Sequence, residues 1–212
     1  MPVVGQLSMP LYIIMLRSSK LVAILVFIAS IGLAHAADAR PTITEIVAKS
    51  GGEFDKNRYD YDILLNAVLT AGLADALNDP AAKLTVFAPN DLGFIRLARD
   101  LGYHRYDEKG AWNYLVGVLT TLGEGDPKPV LTDILLYHVV PKRISVFGFL
   151  RAAIRDRELV TLLGETVDPF LFGLVDKEPD LKNPRLFFPI NVRASNGIIH
   201  TLDRVLVPVD LP

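Results

Sequence analysis

Apolar residues recur at every third or fourth position through the first part of the chain, which is the spacing of amphipathic helices. One such pattern extends from residue 60 to residue 77, where Gly72 would interrupt or kink the helix. Another extends from Trp112 to Leu122, and we expect the single tryptophan to face the core rather than to form an exposed binding spot. The remaining helices are predicted at 43–50, 91–97, 131–137 and 145–155.

Side chains that can cap a helix precede several of these segments. Thr42, with Glu45 three residues later, has the pattern of a capping box. Either Asn90 or Asp91 would cap the helix that begins there, and Thr132 is a candidate cap for the 131–137 helix. These residues support the predicted helix starts.

Short apolar runs rich in β-branched residues predict strands. Leu84–Ala88 reads as a buried strand that ends at Pro89, and a second strand is expected at 138–140. The C-terminal part is mostly predicted strand, at 159–163, 166–175, 185–192 and 197–207. Because helices come first and strands last, the pattern favours an α+β domain. Its core would be an antiparallel sheet with helices on one side, rather than an alternating parallel sheet.

The N-terminal region has the parts of a secretory signal peptide. Arg17 and Lys20 precede an apolar run of 13 residues, Leu21 to Leu33, and Ala34-His35-Ala36 follows it. This run is shorter than the ~20 residues that a membrane-spanning helix needs. We therefore predict cleavage after Ala36, a secreted or periplasmic protein, and one domain over 37–212. An uncleaved N-terminal helix that anchors the chain is the alternative, and Met15 could be the true start.

Composition narrows the function classes. The chain has no cysteine, which excludes a disulfide framework and thiolate chemistry. The stability of the predicted exported protein must therefore come from its apolar core. Removing Arg17 and Lys20 would leave 20 basic against 24 acidic residues, so nucleic acid is not expected as a partner. The predicted mature chain contains no membrane span.

Three motifs, in this order, resemble those of fasciclin domains. They are Thr85 to Asp91, the pair Tyr137-His138, and the closing segment from Asn196 to Pro208. The resemblance implies a wedge-like β-sandwich with flanking helices. It also implies a non-catalytic extracellular module, without a cofactor, that is associated with adhesion and holds a protein or a polysaccharide.

Most residues of these motifs have a structural interpretation. Pro89 would fix the strand exit, and Asn196-Gly197 would supply a positive-φ turn before the last strand. The resemblance also implies a partner-binding role for Tyr137 and His138, although the pair could instead bury a ring and satisfy a hydrogen bond. The residues interpreted as structural are Thr85, Phe87, Ala88, Pro89, Asn90, Asp91, Asn196, Gly197, His200, Asp203 and Pro208.

Catalytic and metal chemistry find little support in the sequence. Ser195, His200 and Asp203 include the residue types of a hydrolytic triad, but side chains three apart on a strand point to opposite faces. The histidines after residue 36 are far apart, and the acidic loop at 53–59 lacks the glycine and glutamate of a calcium loop. We therefore predict no catalytic residue and no metal site. A hydrolytic enzyme and a carrier of a small apolar ligand are the alternatives.

Overall fold

The structure is a computed structural model that describes residues 40–209 and residue 211. Helices occupy most of the first two thirds of these residues. The predicted signal peptide, Met15 and the residue 36 boundary lie outside these residues and stay predictions. The helices are α1 (Ile43–Ser50), α2 (Asp62–Ala71), α3 (Ala74–Asn78), α4 (Asp91–Asp100), α5 (Glu108–Leu122), α6 (Lys128–Tyr137) and α7 (Val146–Ile154).

The helix ends follow local chemistry. The capping box of Thr42 and Glu45 is present at the start of α1. Gly72 adopts a φ of 75° and ends α2, so the predicted helix over 60–77 is divided into α2 and α3. The prediction for Thr132 is wrong. Pro127 precedes α6, and Thr132 donates its hydroxyl to the carbonyl of Lys128 inside the helix, at 2.7 Å.

Four strands form the main sheet, in the order β2 (Val139–Val140), β1 (Leu84–Pro89), β7 (Gly197–Leu202) and β6 (Val192–Arg193). The central pair, β1 and β7, is parallel, whereas β2 and β6 pair antiparallel to their neighbours. The α+β expectation is confirmed, but the expectation of an antiparallel core is wrong at its centre. The connection between β1 and β7 is long and contains α4 to α7 and five strands, so the two strands can run in the same direction.

A second sheet contains β3 (Leu159–Val160), β4 (Thr166–Phe170) and β5 (Gly173–Val175), all antiparallel. The predicted strand over 166–175 is thus a hairpin that turns at Phe172, where φ is 64°. The strand predicted at 185–192 is largely absent: bridges at Arg185 and Leu186 precede the short β6. Pro189 has no N–H to donate to a ladder, which accounts for the interruption.

Alternate residues of β1 face two separate cores. Leu84, Val86 and Ala88 lie in a cluster with side chains of α1, α2, α4, α5 and α6, whereas Phe87 lies in a cluster with side chains of the second sheet and α7. The main sheet is therefore covered by helices on one face and by the second sheet on the other. Leu115 and Leu119 of α5 are buried as predicted, and Trp112 is partly buried against the helical cluster. Leu122, at the end of the predicted pattern, is exposed, whereas Ala111, just before it, is buried. No helix among residues 40–209 is long and apolar enough to cross a membrane.

Candidate functional site

Thr85, on β1, holds the loop that follows β2. Its hydroxyl donates to the carbonyl of Lys142 at 2.5 Å and accepts the backbone N–H of Ile144 at 2.7 Å. His200, on the neighbouring β7, contacts the same loop through Nε2, which lies 2.8 Å from the carbonyl oxygen of Ile144. Both side chains are buried, so these motif residues connect the first and last strands to one loop.

His200 lies among aromatic rings. Its centroid is 5.8 Å from that of Phe87 and 6.3 Å from that of Phe149. Burial lowers the pKa of His200, so the ring is neutral and donates Nε2–H to Ile144. Its Nδ1 atom has no hydrogen-bond partner within the described part of the chain.

Tyr137 and His138 are both buried, at the end of α6. The Tyr137 hydroxyl donates to the carbonyl of Thr166 in β4 at 2.9 Å. His138 Nε2 accepts the backbone N–H of Leu206 at 2.9 Å, so Nδ1 carries the proton and donates to Ile134 at 2.7 Å. Burial lowers the pKa of His138 to about 4. The pair thus holds α6 against β4 and the chain after β7. Its role in partner binding stays a prediction.

Asn196 forms hydrogen bonds to three distant backbone groups. Its Oδ1 accepts the N–H of Ile43, at the first residue of α1, at 2.9 Å. Its Nδ2 donates to the carbonyls of Leu77 at 2.8 Å and Asp79 at 3.0 Å, at the end of α3. The side chain is completely buried, and it supplies partners to helix ends that lack intrahelical ones.

The positive-φ turn predicted for Asn196-Gly197 is wrong, since neither residue is among the described residues with a positive φ. Gly197 is instead required by close packing at the start of β7. A Cβ atom there would lie 2.5 Å from the carbonyl oxygen of Leu84 and 2.6 Å from Cδ1 of Ile43. The first of these contacts is with backbone, which cannot rotate away.

We expect Gly197→Ala to lower the free energy of unfolding by about 1–3 kcal/mol, the range typical of overpacked interiors. Urea unfolding followed by the fluorescence of Trp112 measures this change. Gly117→Ala is the matched control, because Gly117 lies inside α5 with nothing within 4 Å of the added Cβ. That variant should be more stable than the parent by about 0.5–1 kcal/mol. Equal effects of the two variants would contradict the packing argument.

Asn90, rather than Asp91, caps α4, with Oδ1 accepting the N–H of Gly93 at 3.0 Å. Asp91 has a different role. Its two carboxylate oxygens accept the N–H groups of Ile63 at 2.8 Å and Asp62 at 3.1 Å, at the start of α2. Asp91 therefore joins the starts of two helices, whose first N–H groups have no partner within their own helix.

Asp203 and Pro208 lie beyond the end of β7. Asp203 accepts the N–H of Arg185 at 2.8 Å and pairs with Arg96 of α4 at 3.0 Å, whereas Pro208 is half-buried. His200 and Asp203 thus have separate partners, and no hydrogen bond joins them in the part of the chain that the structure covers. This geometry offers no base and orienting acid for a triad.

Five acidic side chains that the sequence analysis did not connect come together beside the start of α2. We call Asp55, Asp60, Asp62, Asp91 and Glu108 the acidic cluster. One oxygen each from Asp60, Asp62 and Asp91 lies within 4.8 Å of the others, and the same holds for Asp55, Asp60 and Glu108. Apart from Asp55, all are buried.

Hydrogen-bond donors satisfy only part of the acidic cluster. Glu108 Oε2 accepts the backbone N–H of Asp55 at 2.7 Å, and Asp62 Oδ1 accepts that of Gly52. Asp60 Oδ2 accepts from the side-chain Nδ2 of Asn57 at 2.9 Å. The other oxygens, Asp60 Oδ1, Asp62 Oδ2 and Glu108 Oε1, are buried without a hydrogen-bond partner among the described residues.

Burial and like charge raise several pKa values in the acidic cluster. Desolvation, together with the acidic neighbours, raises the pKa of Glu108 to about 7 and that of Asp62 above its ordinary value. Burial and the adjacent Asp60 carboxyl raise the pKa of Asp91 well above its usual range. Sequence spacing did not reveal the acidic cluster, because its residues lie in separate segments of the chain.

An apolar cavity of about 130 Å³ lies between the first helices and the main sheet. Its wall comes from α1, α2, α3, the start of β1, and the end of α6 with the start of β2. Ile43, Val68 and Leu84 are among the lining side chains. The volume resembles that of apolar cavities that stay dry and accept a ligand the size of benzene.

Comparisons with known proteins agree with this architecture. Protein sll1483 of Synechocystis sp. is 30% identical over 173 residues, which cover 82% of this chain and 77% of that protein. The uncharacterized protein sll1735 of the same organism is 29% identical over 148 residues, covering 69% of this chain and 89% of that protein.

A solved structure shows the same fold. It is the FAS1 domain pair from the insect cell adhesion molecule Fasciclin I, with a TM-score of 0.52 and 16% sequence identity. The match covers 79% of this chain and 51% of the pair, so this chain spans about half of that structure's length. The family model of the fasciclin domain matches residues 59–208, and this chain therefore belongs to the fasciclin domain family.

Proposed function

We propose that this protein is an exported, non-catalytic adhesion or matrix-binding module that recognises a protein or a polysaccharide. Fasciclin domains are adhesion-related and generally non-enzymatic. The predicted signal peptide supports export to the periplasm or the cell exterior. Most residues of the three motifs are buried, which favours recognition by other, exposed side chains.

Exposed apolar side chains on three neighbouring segments carry this proposal. We call them the aromatic surface: Tyr59, Leu171, Phe172, Phe187 and Phe188. The rings of Tyr59 and Phe187 stack with their centroids 5.7 Å apart, and the carbonyl of Phe172 accepts the N–H of Leu186 at 2.9 Å. Phe188 is 78% exposed. Aromatic rings with one free face suit both sugar rings and apolar protein side chains.

We expect the double substitution Leu171→Ser and Phe188→Ser to weaken partner binding about tenfold or more, because removing exposed anchor side chains has effects of this size. A glycan array, followed by partner capture from the producing cells, identifies the ligand, and titration of that ligand gives the change. Phe147→Ser with Ile154→Ser is the matched control, because both residues lie on α7 and are exposed to a similar degree as Phe188.

The control variant should bind as the parent does, and both variants should unfold at the parent's Tm within a few degrees. Binding lost only in the α7 variant would place recognition elsewhere. The non-catalytic part of the proposal is tested with ester, glycoside and peptide substrates. Turnover that disappears in His200→Ala or His138→Ala, while the fold is retained, would contradict it.

The apolar cavity supports a second candidate, a carrier of a small apolar ligand. Its volume of about 130 Å³ is below the ~300 Å³ at which drug-sized ligand pockets begin, so its ligand would be no larger than a small ring. Native mass spectrometry of the exported protein would detect such a ligand as added mass. The adhesion module is preferred, because the family and the aromatic surface both support it.

A further inference from the structure

The acidic cluster concentrates negative charge in the interior without a matching positive side chain. Asp60, Asp62 and Glu108 are at most 7% exposed. Over the described residues, the ion pairs of lysine and arginine involve Asp203, Asp107 and Asp100, and none involves the acidic cluster. Buried carboxylates are normally paired, hydrogen-bonded or coordinated to a metal, since an isolated buried charge is very unfavourable.

The unsatisfied atoms are the second observation. Asp60 Oδ1, Asp62 Oδ2 and Glu108 Oε1 are enclosed, and each belongs to a carboxylate whose other oxygen accepts a hydrogen bond. That other bond fixes the direction of each carboxylate. Buried acceptor oxygens without a donor usually indicate an absent water or ion.

Each of two groups of carboxylate oxygens has the spacing that one ion needs. Two oxygens that coordinate the same calcium at 2.3–2.6 Å lie no more than about 5 Å apart. The oxygens of Asp60, Asp62 and Asp91 lie within 4.8 Å of one another, and those of Asp55, Asp60 and Glu108 do likewise. Asp60 belongs to both groups and stands at the centre of the cluster.

We propose that the acidic cluster binds one calcium ion. Asp55, Asp60 and Glu108 supply its carboxylate ligands, since one oxygen of each lies within 4.8 Å of the others. Asp55, the exposed member, gives the ion a path from solvent. Asp91 lies beside Asp60 and keeps its bonds to the start of α2.

Calcium fits this set better than magnesium does. Calcium accepts six to eight oxygens in irregular arrangements, whereas magnesium retains several waters and uses only one or two carboxylates. Three carboxylates converge here from one loop and from the start of α5. The arrangement does not follow the loop pattern considered in the sequence analysis, because its ligands come from distant segments. Calcium binding is measured without any partner, so it is tested separately from recognition by the aromatic surface.

The test is calcium titration of the purified protein after treatment with EDTA, by calorimetry and by thermal unfolding. We expect one site per chain, with a dissociation constant of about 10⁻⁴–10⁻³ M, the range of extracellular calcium modules. A tenfold excess over that constant should raise the Tm by about 3–6 °C. Magnesium at the same concentration should have a much smaller effect.

Asp60→Asn and Glu108→Gln keep the size of the side chain and one acceptor oxygen, but remove a negative charge. In EDTA they should be at least as stable as the parent, because charge repulsion is reduced. In calcium they should be less stable than the parent and should bind at least about tenfold more weakly. Asp133→Asn, at an exposed position of α6, is the control and should leave both measurements unchanged.

This change of sign between EDTA and calcium separates a ligand role from a purely structural one. An equal Tm in EDTA and in millimolar calcium, with no heat of binding, would overturn the proposal. An equal response to calcium and magnesium would overturn the assignment to calcium. Binding that survives unchanged in both variants would show that the ion lies elsewhere.

Discussion

His138→Ala is expected to lower the free energy of unfolding by about 3–5 kcal/mol, because it opens a cavity and leaves two buried backbone groups without partners. Those groups are the carbonyl of Ile134 in α6 and the N–H of Leu206 after β7. Urea unfolding at neutral pH measures the loss. His138→Asn retains a donor near the Nδ1 position and His138→Gln an acceptor near Nε2, so each should recover part of it.

The same histidine makes stability depend on pH in a definite direction. Its pKa is about 4 in the folded protein, against about 6.5 when exposed, so the unfolded chain binds the proton first. The stabilisation is complete above pH 6.5 and is lost as the pH falls towards 4, by about 3 kcal/mol in all. Between pH 6.5 and pH 4, the free energy of unfolding should therefore fall by about 3 kcal/mol more in the parent than in His138→Gln.

The comparison with His138→Gln is necessary because other groups act in the opposite direction. Burial raises the pKa of Asp176 to about 6 and that of Glu108 to about 7, and it also raises the pKa of Asp91. These carboxyl groups favour the folded state as the pH falls, and they are present in both proteins, so their contribution cancels. Parallel pH profiles of the two proteins would show that His138 does not titrate on unfolding.

Asn196→Asp is expected to be the more damaging of two substitutions at its position. Asn196→Ala removes three buried hydrogen bonds and should lower the free energy of unfolding by about 3 kcal/mol. Asn196→Asp keeps the shape and the bond to the N–H of Ile43, but its second oxygen faces the carbonyls of Leu77 and Asp79. Because a buried acceptor oxygen then faces two carbonyl oxygens, this substitution should lower the free energy of unfolding by more than Asn196→Ala does. Chemical unfolding of both variants shows which substitution lowers the free energy of unfolding more.

Asn113→Asp is the control for this pair, since Asn113 is exposed on α5 and the same change of charge there should alter stability by less than about 0.5 kcal/mol. An aspartate at 196 that is tolerated as well as alanine would contradict the hydrogen-bond assignment. It would mean that the position tolerates a protonated carboxyl, or that the ends of α1 and α3 find other partners.

Local patterns predicted the elements that are determined by residues close together in the sequence. The capping box at Thr42, the buried strand before Pro89 and the core face of α5 follow from spacing and side-chain chemistry alone. The α+β class followed from the order of predicted helices and strands, and the family followed from the order of the three motifs. Thr132 failed because a threonine inside a helix donates to the preceding turn as readily as it caps one.

What the sequence by itself determined, then, was the α+β class, the family, and most helix starts, since periodicity and capping act over short distances. Only the tertiary structure decided that β1 and β7 run parallel and that Gly197 is needed for space rather than for φ. It also decided that five acidic residues from three segments meet in one place. These features depend on contacts between residues far apart in the chain, and the spacing of residues along one segment carries no information about such contacts.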